Sequence, residues 1–386
     1  MNREELFLNG KIGKTILKLS IPLVISQLIN VLYNIVDRIY IGNMKDVGGV
    51  ALAGVGISFP IILIVSAFAA LVGFGGGPIF SIKLGEGKKD EAKNTMVSSF
   101  VLLVLLGIIL TVILLVFAEP LLYLFGATSE IISYSKDYLI IYAIGTVSVM
   151  LTLGLTSYIT AQGNSIIAML VVVIGAVLNI ILDPIFMFAF NMGVKGAAVA
   201  TILAQTVSAI FVIWFLRSKR SVVKLEFKNF KLNLKVILVI ISLGVSPFIM
   251  QATESAVQII FNVQITKYGG EDYKTYLNLM TIMLSIMQFI FLPILGFAQG
   301  ASPLISYNFG AKKIDRVNSA FKFLILVSTA YSLLFYLALA ITPNTFVTIF
   351  NSDPKLLELS PRIVSLFFLG MSIMGIKLLA KIHLWL

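Results

Sequence analysis

Three acidic residues stand inside stretches of otherwise apolar sequence: Asp37 in YNIVDRIYIG, Asp183 in LNIILDPIFMF and Glu254 in PFIMQATESAVQ. An ionised carboxylate at the middle of a bilayer costs about 3 kcal/mol on insertion scales, so its retention points to a proton or cation that comes and goes. Asp183 carries this reading furthest. Asn179 lies four residues earlier and therefore on the same helix face. Pro184 follows directly; proline removes a backbone hydrogen bond and frees a carbonyl that can coordinate a cation beside the carboxylate. Asp37 has a plainer account, a solvated helix end paired with Arg38. Glu254 is flanked at helical spacing by Gln251, Ser255 and Gln258.

Other chemistries fare badly. Without any Cys there is no disulfide, thiol nucleophile or Cys-ligated metal. The sole histidine, His383, lies in the terminal GIKLLAKIHLWL and has no triad or metal partner in view. GFGGGP at 73–78 and GEGKKD at 85–90 lack the G-x-x-x-x-G-K-[ST] order and a preceding strand. Their glycines suit close helix contact and a tight turn instead. Asp37 and Asp183 as the facing acids of an intramembrane protease would leave Asn179 unexplained. The sequence predicts no enzyme.

The elements that position these acids are membrane helices. Of 386 residues, 59% are hydrophobic and 12% charged, and the mean hydropathy is +1.01, beyond the range of soluble domains. Mostly apolar stretches of about 18 residues or more can cross the hydrocarbon core. Ten are present, near 15–36, 52–72, 97–117, 139–159, 166–190, 197–216, 236–261, 279–299, 321–341 and 363–382. The first is too long for a removable signal peptide and lacks a small-residue cleavage site.

The chain repeats itself at an offset of 225, the distance from Gly75 to Gly300. Pro78, Ser81, Gly85, Lys88 and Asp90 fall on Pro303, Ser306, Gly310, Lys313 and Asp315, and Pro22 falls on Pro247. These are not aliphatic types that match by chance, so the architecture is duplicated. Prolines at matching places in the first and seventh spans suggest a gate or binding site. With the N-terminus in the cytoplasm, 21 Lys and Arg lie on that side and 8 on the other, which fits the positive-inside rule. The net charge of +11 is therefore an orientation device, with contact to anionic lipid, and no sign of nucleic-acid binding.

Six spans return the chain to its starting side, making the two copies parallel repeats. The expected organisation is a cytoplasmic segment (1–18), an N-terminal lobe (19–217), a basic linker (218–235) and a C-terminal lobe (236–386) with about four spans. The same offset calls for a partner of the sixth span near 422–441, so the expectation is a shortened or frame-shifted version of a twelve-span protein.

The residues that carry these arguments resemble the MATE (multidrug and toxic compound extrusion) family, above all its MepA-like bacterial branch. The resemblance lies in LSIPLVISQLINVLYNIVDRIYIG of the first span, NIILDP of the fifth, and the two GxxPxxSxxxG segments after the second and eighth. It covers residues 12 to about 375. It implies an all-α integral membrane fold of two parallel six-helix lobes around a V-shaped cleft, and exchange of Na⁺ or H⁺ for bulky, often cationic drugs. By position, Asp37, Asn179, Asp183 and Thr201 match the cation site of the N-terminal lobe. Gln27, Asn30 and Tyr33 match residues facing that lobe's cavity. Glu254 matches an acid found only in some branches, with Gln251 and Gln258 beside it. Arg38 replaces a commoner small hydroxyl residue but fits the MepA-like pattern.

The implied mechanism is alternating access without covalent chemistry: ion from outside and cargo from inside compete for overlapping negative sites. The expectation is a monomeric multi-pass protein of the plasma membrane, with a cytoplasmic N-terminus and no cofactor beyond the coupling ion. Tyr33, Tyr138, Tyr142, Met283 and Met287 could hold planar cations, although each taken singly is better explained by helix packing. The main alternative is a flippase or exporter of a lipid-linked glycan, which would need a cationic cavity. A sensor that binds without moving solute, and an inactive truncated transporter, are the remaining readings.

Overall fold

The structure, a computed structural model, describes residues 3–45, 47–228, 233–268, 270, 273–348 and 354–369. A short α1 (Arg3–Asn9) precedes the long α2 (Ile12–Gly42), α3 (Gly48–Gly85) and α4 (Lys89–Leu124). Next come α5 (Ile132–Ile144), α6 (Thr146–Ala161), α7 (Ser165–Pro184) with a π-helical turn over Ile185–Ala189, and α8 (Val194–Arg217). After the linker run α9 (Leu234–Tyr268), α10 (Tyr273–Gly310), α11 (Ile314–Ile341), α12 (Pro343–Thr348) and α13 (Pro354–Phe368). Among the described residues eight helices are long and apolar enough to cross a membrane, and a ninth crossing exists if α5 and α6 count as one bent span. This all-helical membrane architecture agrees with the sequence. The tenth expected span, 363–382, lies mostly outside the described residues.

The fourth expected span is not one straight helix. The axes of α5 and α6 differ by 60° at Gly145. A Cβ at Gly145 would collide with the side chain of Ile202 on α8, so the residue there must be small. The bend lets α8 come close.

Duplication is visible in backbone geometry. The helices α3 and α10 are each 38 residues long, about 57 Å at 1.5 Å per residue, and so extend well past a hydrocarbon core of about 30 Å. Both end in the same turn. Lys88 (φ −87°, ψ 68°) and Lys313 (φ −91°, ψ 67°) precede α4 and α11 in nearly identical conformations. The residue before each is left-handed, Gly87 at φ 77° and Lys312 at φ 58°. Glycine takes that conformation freely and lysine does not, so the turn survives in the second copy against local preference. Asp90 and Asp315 then open α4 and α11, where a negative side chain complements the helix dipole.

The chain forms two compact units: residues Ile25–Thr253, and Met1–Val24 with Glu254–Leu386. Their borders fall inside α2 and α9, close to Pro22 and Pro247. The expected lobe border, the basic linker 218–235, falls within the sequence of the first of these units.

In the unit of Ile25–Thr253, α3 is the central element, lying against α4, α5 and α6. Its glycines explain the closeness. A Cβ at Gly75 would land on the Ile240 carbonyl of α9, and one at Gly244 of α9 would land on the Leu71 carbonyl of α3. With no hydrophobic drive between helices in lipid, such backbone contact and hydroxyl bonds supply the cohesion. Ser135 Oγ donates to Gly54 O (2.8 Å), Thr152 Oγ1 to Gln205 O (3.0 Å) and Ser208 Oγ to Val171 O (3.1 Å). The start of the linker is docked here as well. Gln162 Oε1 accepts from Ser221 Oγ (2.9 Å) and from the amides of Val222 (2.6 Å) and Val223 (3.1 Å).

The other unit repeats the theme. Gly296 and Gly300 of α10 admit the backbone around Val24 and Ser20 of α2, and Ser20 Oγ donates to Phe297 O at 3.2 Å. Leu279, Met283, Ile286, Ile290, Leu339, Val364 and Phe368 contribute to its buried cluster. Met283 is thus core, and Met287 packs against the same cluster.

Candidate functional site

The site is built on one face of α7. Ala168, Val171, Gly175, Ala176, Asn179 and Asp183 are its buried residues after the first turn, spaced as one side of a helix. Small residues lead up to the polar pair, so α8 can approach. Pro184 closes the regular helix, and the span continues as the π turn Ile185–Ala189, a widening frequent at functional sites.

Asp183 is fully buried and Asn179 is 2% exposed. The Asn179 amide nitrogen donates to Asp183 Oδ1 (3.1 Å) and to Thr201 Oγ1 of α8 (3.3 Å). Thr201 spends its own proton on Ala197 O (2.9 Å). Asp37 of α2, 9% exposed, is within electrostatic reach of Asp183. Arg38 does not bond to it: the guanidinium carbon lies 4.9 Å from the ring centre of Phe59. Among the described residues no ion pair involves Asp37 or Asp183.

What these groups share is unspent acceptor capacity. Asp37 Oδ1, Asn179 Oδ1, Asp183 Oδ2 and Gln205 Oε1 are buried without a hydrogen-bond partner. Buried polar atoms are nearly always satisfied. Four oxygens with open acceptor capacity can be satisfied by water, by a proton or by a cation, and an all-oxygen set suits a hard ion rather than a soft metal. Among the described residues no cluster of three or more His, Cys, Asp or Glu forms a transition-metal site.

A cavity of about 40 Å³ opens beside Asn179, lined also by Asn30, Tyr33, Thr152, Thr201, Gln205 and Ser208; Asp37 and Asp183 are not among its lining residues. That volume is room for an ion with a water or two. Tyr138, stacked on Tyr142 at 6.5 Å, interacts with Thr201, while Tyr33 is within electrostatic reach of both acids.

Asn30, Tyr33, Asn179, Asp183 and Thr201 are therefore brought together, with Asp37 in reach. Gln27 is half-buried on α2. Gln251 of α9 is half-buried in the same unit, and its Oε1 has no partner. Glu254 is exposed and belongs to the other unit. The side chain of Gln258 lies outside the described residues. Gln205 is not among the residues that the sequence singles out; its only signal there is a polar side chain one turn after Thr201, in VATILAQ.

The MatE family model matches residues 22–185 and 247–384, two matches that begin one repeat apart. The Multidrug export protein MepA of Staphylococcus haemolyticus (strain JCSC1435) is 28% identical over 383 residues, covering 98% of this chain and 83% of the relative. MepA of Staphylococcus aureus (strain MSSA476) is likewise 28% identical over 383 residues. Among solved structures, an outward-facing multidrug resistance MATE family transporter of the MOP superfamily superposes with a TM-score of 0.86 at 24% identity, covering 100% of this chain and 87% of that one. A MOP superfamily transporter from Pyrococcus furiosus, described as having a binding pocket of reverse polarity that suggests a different function, gives 0.85 at 24% identity, with the same coverage. A family match over most of the chain, in two halves spaced as its internal repeat, makes this protein a member of the MatE family.

Proposed function

We propose that this chain is a secondary-active multidrug exporter, moving bulky cationic or amphipathic organic compounds out of the cell in exchange for Na⁺ or H⁺. The observation that carries the coupling is the set of orphan oxygens on Asp37, Asn179, Asp183 and Gln205. Export agrees with the names of the staphylococcal relatives. A proton or Na⁺ entering the set would neutralise it. A cationic cargo would then lose its attraction, so ion and cargo displace one another through linked equilibria. The cavity of about 40 Å³ admits the ion alone, because drug-sized ligands need about 300 Å³ or more. Cargo entry therefore calls for a wider state, as alternating access provides.

The expected setting is the plasma membrane, with α1 and the linker in the cytoplasm and the chain acting as a monomer. Export of a lipid-linked glycan would require basic residues at the cargo site, whereas the acids at membrane depth in the first six spans, Asp37 and Asp183, favour a cationic cargo.

Ethidium uptake into everted vesicles, with Na⁺ and pH gradients imposed separately, tests the reading. Uptake should follow one of the two gradients and vanish in Asp183→Asn. Undiminished uptake in that variant would overturn the ion site, and absence of uptake under either gradient in the unaltered protein would overturn the exchange.

A further inference from the structure

We propose that a groove on the lipid-facing side of α4 is a site for a zwitterionic phospholipid whose headgroup bears a primary ammonium. The groove, of about 480 Å³, is lined by Leu115, Val116, Glu119, Pro120, Tyr123 and Lys136, together with the buried Ala118. It lies at the end of α4 remote from the Lys88–Lys93 turn, so it faces the leaflet opposite the basic cluster. It takes no part in the polar site around Asn179 and Asp183.

Its origin is a break in the helix. Phe117 leaves helical geometry (φ −109°, ψ 17°) and Pro120 follows three residues on. Proline has no N–H, so the Val116 carbonyl receives no bond from the residue four places ahead. At membrane depth such a carbonyl must find a donor elsewhere. Val116 is 65% and Tyr123 48% exposed, which leaves the groove open to lipid and puts an amphipathic ring at headgroup height.

The polar groups choose the occupant. Lys136 Nζ lies 2.8 Å from Glu119 Oε2, with the two side chains 43% and 48% exposed. A surface pair of this kind has little hold on its own geometry. A headgroup with a phosphate and a primary ammonium complements both ends: the phosphate accepts from Lys136, and the ammonium donates to Glu119 and to the Val116 carbonyl. One acyl chain then lies along Leu115 and Val116. A phosphatidylglycerol headgroup adds a second anion beside Glu119 and brings only hydroxyl donors, with no positive charge to balance the carboxylate. A quaternary ammonium has no N–H for the carboxylate or the carbonyl.

Native mass spectrometry of the full chain, exchanged into an equimolar mixture of phosphatidylethanolamine, phosphatidylcholine and phosphatidylglycerol, reads this directly. The unaltered protein should retain phosphatidylethanolamine in preference, and Glu119→Gln or Lys136→Gln should each lower that retention about tenfold, the loss of one charge-assisted hydrogen bond. Lys195→Gln, which breaks the separate pair of Lys195 with Asp137, should leave it unchanged. Size-exclusion profiles establish that each variant folds. Equal retention of the three lipids, preference for phosphatidylglycerol, or unchanged preference in both groove variants would each overturn the proposal.

Discussion

Asn179 gives its amide nitrogen to Asp183 (3.1 Å) and to Thr201 (3.3 Å), and its own oxygen is left buried without a donor. The amide thus ties α7 to α8 and leaves its acceptor free for the proposed ion. An aspartate here would lose the two donations and add a charge, and an alanine would remove the tie. Asn179→Ala and Asn179→Asp should therefore both cut ion-driven ethidium transport at least about tenfold, roughly the value of a hydrogen bond to a charged group. Expression of the two variants should stay within reach of the unaltered protein, because the α3 packing is untouched. Transport near the unaltered rate in Asn179→Ala would separate this residue from the ion path.

Gln205 should act as an oxygen donor to the same ion. Replacing it by Leu removes one neutral acceptor, so the concentration of Na⁺ or H⁺ giving half-maximal transport should rise about fivefold. Maximal rate should change far less. Ion titrations in vesicles check this, and an unchanged half-maximal concentration would leave Gln205 as cavity lining only.

The glycine contacts of α3 and α9 predict a contrast in stability. Gly75→Ala and Gly244→Ala each drive a methyl into a backbone carbonyl, which should cost about 1–3 kcal/mol as overpacking does. Gly49→Ala and Gly56→Ala meet nothing within 4 Å and should be neutral or slightly stabilising. Thermal unfolding in detergent compares the four. Equal midpoints would mean that the helices part easily at Gly75.

Arg316 holds α1. Its Nη2 donates to the carbonyls of Phe7 (3.0 Å) and Gly10 (2.7 Å), and Asn308 Nδ2 also reaches Phe7 O (3.1 Å). These carbonyls end a seven-residue helix that is too short to persist alone. Arg316→Ala should speed hydrogen exchange of α1 and trypsin cleavage at Lys11 and Lys14 several-fold. Arg316→Lys should fall between, having the charge without the fork. Unchanged exchange in the alanine variant would show that Phe7, which is buried against Tyr307, suffices.

Much of this protein was legible in its residues. Span length and apolarity determine membrane helices because the bilayer demands it, and the 225-residue repeat reappears as matched turns at Lys88 and Lys313. The pairing of Asn179 with Asp183 also follows from local geometry, since residues four apart share a helix face. Other features depend on neighbours distant in sequence. Residue 145, where the span bends, must be glycine because Ile202 fills the space where a side chain would go. Arg38 turns to Phe59 instead of Asp37, which a list of adjacent charges could not reveal. Gln205 became part of the site only when α7 and α8 packed, because whether an amide oxygen is orphaned depends on every donor around it. Helical periodicity is a property of a single segment; the unspent oxygens belong to three helices at once.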